Sequence, residues 1–142
     1  MNKTIFSIKP LKSTNIISQE IKIKKFSGKK SSGEVKATFQ SYSIKDGDQY
    51  VAYIPSLEMT GYGKTVDEGL EMLKEAVEDY FENLMKLTML GISKELSKHG
   101  WNRDKILRKQ FSNDTFIDKD GVLKGFEMPK DTPIEANRLQ MA

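Results

Sequence analysis

The chain has 142 residues, no cysteine, a net charge of +3 at pH 7, and 37% apolar against 30% charged residues. That length suits one domain with a single core. The composition excludes disulfides, cysteine-based zinc sites and thiol catalysis, and no run approaches the ~18 consecutive apolar residues of a membrane span. The opening MNKTIFSIKPLKS holds only a broken apolar segment, which makes a poor signal peptide, so a cytoplasmic location is the default expectation.

Charge is unevenly spread. Residues 1–36 carry nine lysines against Glu20 and Glu34, a balance of +7. Residues 66–86 carry seven carboxylates against Lys74 and Lys86, a balance of −5. The basic arm and the acidic stretch can face each other, within one molecule or across a dimer. Alternatively the protein binds nucleic acid, the arm meeting its phosphates through Lys22, Lys24, Lys25, Lys29 and Lys30. Lysine clusters without interleaved aromatics or arginines weigh towards the first reading.

Taken in chain order, Ile21, Ile23 and Lys25 alternate within IISQEIKIKKF (16–26), the pattern of a strand, with lysines suited to a sheet edge. GKKSSG (28–33) reads as a linker. EVKATFQSYSI follows, with Val35, Ala37, Phe39 and Ser41 on one face and Thr38, Gln40 and Tyr42 on the other. Asp46-Gly47 predicts a tight turn into a second strand, QYVAYIP, which Pro55 ends. SLEMTGYG (56–63) predicts a third strand or an extended bend.

Thr65 stands three residues before Glu68, the spacing of a capping box. Beyond it Val66, Leu70, Leu73, Val77, Tyr80/Phe81 and Leu84 form one apolar stripe, predicting a helix from Val66 to Met89. Gly91 punctuates it. ISKELSKHGW (92–101) predicts a second helix closed by Gly100, with Trp101 folded back onto the core. Asp120-Gly121, between Phe116/Ile117 and Val122/Leu123, predicts a second hairpin. Residues 129–142, polar and holding Pro129 and Pro133, read as a tail.

Candidate chemistry is sparse. Asp118, Asp120, Gly121 and Glu127 match part of a calcium-loop spacing, but Phe116 occupies its first ligand position and Pro129 blocks the exiting helix. His99, the sole histidine, suits a helix C-terminus better than a triad with no identifiable nucleophile. GYGKT (61–65) is too short for a phosphate loop and reads as a kinked turn before a helix cap. No catalytic residue, cofactor or metal is expected. The carboxylates opposite the apolar stripe, Glu71, Glu75, Glu78 and Glu82, form a solvated face suited to a basic partner.

The run Tyr50-Val51-Ala52-Tyr53-Ile54-Pro55, then Leu57, then Gly61-x-Gly63-x-Thr65-x-x-Glu68-Gly69-Leu70, resembles the HicB family of antitoxin-like domains. Leu96-x-x-His99-Gly100-Trp101 also suits its stand-alone members. The resemblance covers about residues 34–101. It implies an α+β fold of partial RNase H-like type: a small antiparallel sheet with one long amphipathic helix packed on one face. To that core the chain would add an N-terminal strand and a C-terminal extension. It further implies a non-enzymatic antitoxin that blocks a small HicA-type ribonuclease toxin and forms homodimers or higher homo-oligomers. The expected organisation is a basic arm and linker (1–33), the αβ core (34–101) and the extension (102–142). Two features depart from the family. Residues 102–142 show no paired helices with a DNA-recognition face, and Gly69 stands where a small alanine is usual.

Overall fold

The computed structural model describes residues 5–11, 18–25, 33–114 and 116–141. Its spine is one long strand, β3 (Gly33–Asp46). Asp46 pairs with Gln49 of β4 (Gln49–Ile54), leaving Gly47 and Asp48 as a two-residue loop. Gly47 takes φ 58°, the left-handed backbone that a first-position glycine supplies in a hairpin of II′ type. β4 then pairs with β5 (Met59–Gly63).

The other strands gather on β3 from far along the chain. β2 (Gln19–Lys25) pairs with its first half, Gly33–Thr38. On the opposite side β8 (Ile134–Met141) runs antiparallel to Ala37–Ile44. β1 (Phe6–Pro10) pairs with β8, while β7 (Gln110–Asn113) pairs with β2 and with the short β6 (Asn102–Arg103). The order is β1-β8-β3-β2-β7-β6, with β4 and β5 branching from the second half of β3. β3 therefore has β8 on one side and a fork on the other, where β2 stops and β4 begins.

The fork leaves backbone groups to satisfy, and amide side chains do it. The Gln40 N–H donates to Gln19 Oε1 (3.1 Å), in place of the strand partner missing there. Gln40 Nε2 donates to the Tyr42 hydroxyl (3.0 Å), which donates in turn to the Ile117 carbonyl. These residues line a small cleft with Pro55 and Phe116.

Three helices cover parts of the sheet. α1 (Val66–Leu84) lies against β5 and β4. Thr65 caps it, its Oγ1 accepting from the Glu68 N–H (3.1 Å), while Glu68 Oε2 accepts from the Lys64 N–H (2.7 Å). The reciprocal cap is thus displaced by one residue from the usual box. The helix ends at Leu84, short of the expected Met89, because Thr88 starts a new one. Its Oγ1 accepts from the Gly91 N–H (3.1 Å), so Gly91 sits in the first turn of α2 (Met89–Ser97). Gly100 follows at φ 87°, and Trp101 folds back as expected, its indole N–H donating to the Ser56 carbonyl (2.8 Å).

Two apolar clusters lie on opposite faces of the sheet. Under α1 and α2, Ile21, Phe39, Leu73, Val77, Phe81, Trp101, Phe111 and Leu139 are buried together. Phe39 meets Phe81 and Trp101 at ring-centroid distances of 6.2 and 5.9 Å. On the other face Tyr42, Ile44, Val51 and Ala136 pack against Val122 and Leu123 of α3 (Lys119–Gly125).

This architecture overturns the expected fold class. The sheet is not a small one carrying a single long helix, as the partial RNase H-like arrangement requires. It is an eight-stranded antiparallel sheet among the described residues, accompanied by three helices. The enlargement comes from long-range pairing, which local sequence signals do not report. Three local readings change with it. β2 lies between β3 and β7 and is not an edge strand. Asp120-Gly121 opens a helix and turns no hairpin, because Asp118 Oδ1 accepts from the Gly121 N–H (2.8 Å) as an N-cap. The supposed tail contains β8, between β1 and β3.

Candidate functional site

α1 buries Gly69, Leu70, Leu73, Val77, Phe81 and Leu84 against the sheet. At 100° per residue, steps of four, three and four then carry Glu71, Glu75, Glu78 and Glu82 along the opposite side. All four are exposed. From Glu71 to Glu82 the rise is about 16 Å, so the carboxylates form a narrow ridge three turns long. Although Lys74 and Lys86 stand close by in sequence, none of the four forms an ion pair among the described residues, whereas Lys98 and Glu95 near the end of α2 do (3.0 Å). Like charges four apart on a helix cost about 0.2–0.5 kcal/mol per pair, so the ridge is a local expense of stability.

The lysines singled out from sequence are split. Lys22 and Lys24 are exposed on β2, on the face of the sheet opposite α1. Lys25 points to the other face, where its Nζ donates to the Leu87 carbonyl. Lys29 and Lys30 lie outside the described residues. Between the acidic ridge and Lys22 and Lys24 stand the helix, the first apolar cluster and the sheet itself. The basic strand and the acidic helix therefore do not face each other within the molecule; they look in opposite directions.

A second polar group lies where α1 meets the end of α2. The Tyr80 hydroxyl and His99 Nδ1 are buried and have no hydrogen-bond partner among the described residues. Their rings stand edge to face, 6.4 Å apart. Burial, reinforced by the Glu95 carboxylate, pushes the Tyr80 phenol up to about 12. Burial also raises Tyr42 and Tyr53. His99 helps close the α2 end through its backbone: its N–H donates to the Leu96 carbonyl (3.0 Å) and its carbonyl accepts from Asn113 Nδ2 (2.9 Å).

Sequence reasoning missed the β6–β7 loop. Ile106 is 87% and Leu107 54% exposed at its tip. Both backbone N–H groups donate to Asp104 Oδ1, at 2.8 and 2.6 Å, which holds the tip and keeps the Asp104 carboxyl below its ordinary range. The Asp-x-Ile-Leu run carried that signal, since an aspartate commonly accepts from N–H groups two and three residues on. Among the described residues, no three His, Cys, Asp or Glu side chains are grouped to hold a metal ion, and no helix is long and apolar enough to cross a membrane.

No family model, curated protein or solved structure matches this chain.

Proposed function

We propose that this protein is a non-enzymatic interaction module of HicB-like antitoxin type, acting in the cytoplasm on a small basic protein such as a HicA-type ribonuclease toxin. The observation that carries the reading is the α1 ridge: Glu71, Glu75, Glu78 and Glu82 in one exposed line with no cationic partner among the described residues. The arrangement suits a basic partner in two ways. The ridge attracts it, and the lysines on the far side of the sheet repel it, so encounter is oriented as well as accelerated. Self-association is part of the reading. β5 ends its branch of the sheet, and Tyr62, Val66 and Met72 are exposed beside it. Two copies paired there about a two-fold axis would cover both edges.

The test is titration of the full chain into a HicA-type ribonuclease, following RNA cleavage and the mass of the complex by light scattering. The expected result is loss of cleavage in a complex holding two copies of each chain. Inhibition should weaken at least tenfold when the four glutamates become glutamine, and persist when Lys22 and Lys24 do. Absence of inhibition, or inhibition indifferent to the glutamates, sinks the reading.

A further inference from the structure

The face of the sheet that α1 does not cover is closed by α3 only over Tyr42, Ile44, Val51 and Ala136. The Phe116–Ile117 segment and Phe126 extend the cover over Gln40 and Tyr53. Over the rest of β1, β2, β3 and β8 polar and charged side chains reach solvent, and strand register fixes what is displayed. Lys22 of β2 stands directly opposite Lys36 of β3. Lys9 of β1 stands directly opposite Arg138 of β8. All four side chains are exposed. Direct cross-strand neighbours lie roughly 5 Å apart at Cβ, and like charges so placed are destabilising. An opposite charge at one member of each pair would relieve that repulsion, and the neighbouring Lys24–Glu34 register has that form.

The two cation pairs are set apart in a defined way. Arg138 pairs with Gln40, four residues beyond Lys36 on β3, which is about 13 Å along the strand. The row between them holds Ser7, Gln140, Thr38 and Glu20. Three of these are hydroxyl or amide side chains, and the row offers no apolar anchor. The cationic surface also continues past β2, since the Ile23 N–H donates to the Lys109 carbonyl (2.9 Å) and so holds the basic β6–β7 loop beside Lys22.

We infer that this open face binds the phosphodiester backbone of a nucleic acid, without reading its sequence. Protein interfaces draw their energy from buried aromatic and aliphatic anchors. The β1, β2, β3 and β8 part of this face lacks them, the exposed Ile106 and Leu107 being confined to the tip of the β6–β7 loop. Phosphates need only spaced cations and polar donors, which this face has. With no exposed aromatic on β1, β2, β3 or β8 to stack a base, contact at these cations is confined to the backbone. The surface is not the basic arm alone: it joins Arg138 of β8 to Lys9, Lys22 and Lys36, and it leaves out Lys25, which faces the other way.

The experiment is fluorescence anisotropy of the full chain with labelled mixed-sequence single-stranded RNA and DNA, alongside polyglutamate and anionic phosphatidylserine vesicles. Four phosphate contacts predict an affinity that falls about fifty-fold between 50 and 200 mM salt for a single strand. A Lys9→Glu/Lys36→Glu variant turns both like-charge pairs into opposite-charge pairs. It should lose nucleic-acid binding at least tenfold while its thermal midpoint rises, so lost binding cannot be blamed on unfolding. Lys94→Glu, on α2, should change neither. Comparison of RNA with DNA shows which backbone is preferred. Binding that survives the double variant, tighter binding to polyglutamate or to vesicles, or no binding to either nucleic acid overturns the inference.

Discussion

Tyr80 carries a hydroxyl into the packing between α1 and α2 and finds no partner there among the described residues. A buried, unpaired hydroxyl costs about 1–3 kcal/mol, and removing it with its shape preserved is neutral or favourable. Tyr80→Phe should therefore raise stability at pH 7 by about 1 kcal/mol, read from the urea midpoint. The same residue makes the fold sensitive to alkali. Its phenol is held up to about 12, against an ordinary value of 10, so the unfolded chain releases this proton before the folded one does. Its contribution is whole below pH 10 and is lost as the pH rises from 10 towards 12. The loss should be about 1 kcal/mol, since solvent around a partly exposed ring screens the effect. Urea unfolding at pH 8 and pH 11 measures it, and in Tyr80→Phe the difference should shrink. An equal difference in both proteins would assign the alkaline loss to other groups, such as Tyr42 and Tyr53, which are shifted the same way.

At the scale of elements, the junction of β5 and α1 rests on two glycines facing each other. A Cβ on Gly61 would meet the Gly69 carbonyl oxygen and the Leu73 backbone nitrogen, closer than atoms can approach. Neither obstacle is a flexible side chain, so Gly61→Ala should push α1 off the sheet and cost about 3 kcal/mol or more. Gly69 differs. A Cβ there would sit 3.3 Å from the Tyr50 carbonyl oxygen, a contact that a shift of a few tenths of an ångström relieves. Against it stands the ~1 kcal/mol that alanine gains over glycine within a helix. Gly69→Ala should thus change stability by less than 1 kcal/mol. Thermal melts of the two variants, Gly61→Ala far below Gly69→Ala, check the packing. The same contrast explains what the sequence makes legible. The hairpin, the Thr65 cap and the apolar stripe of α1 are encoded within a few residues each, and all are present. α3 was hidden because aspartate followed by glycine serves a helix start as well as a hairpin turn. The acidic ridge could be placed from helical spacing alone. The like-charge pairs on the open sheet face could not, since Lys9 and Arg138 meet only through register across the whole chain.

On the scale of the molecule, the sheet serves two cores, and its two longest strands change face where it passes from one to the other. Along β3, Ala37 and Phe39 belong to the cluster under α1, then Tyr42 and Ile44 to the cluster under α3. Along β8 the order reverses: Ala136 packs under α3, Leu139 and Met141 under α1. The switch falls at the same place on both, where Ser41 pairs with Asn137. Buried polar groups fill it, with Asn137 Nδ2 donating to Ser43 Oγ (3.1 Å) and Ser41 Oγ reaching the Asn137 carbonyl (3.5 Å). A strand that changes its buried face in mid-run breaks the two-residue period that marks strands in a sequence. That break is why residues 134–141 read as a polar tail. Their position makes a sharp prediction. β8 is hydrogen-bonded on both sides, to β1 and to β3, and gives side chains to both cores. Ending the chain after Pro133 would uncover one side of β3, release β1 and open both clusters to water. Such a chain should lose cooperative thermal unfolding and bind a hydrophobic dye, whereas a detachable tail would leave the melt unchanged. A milder form is Leu139→Ala, at a position with no exposure, which should cost about 2–5 kcal/mol. Arg138→Ala, one residue away and exposed, should cost little and relieve the repulsion with Lys9. Opposite outcomes at adjacent positions would follow only from a strand with one buried and one open face.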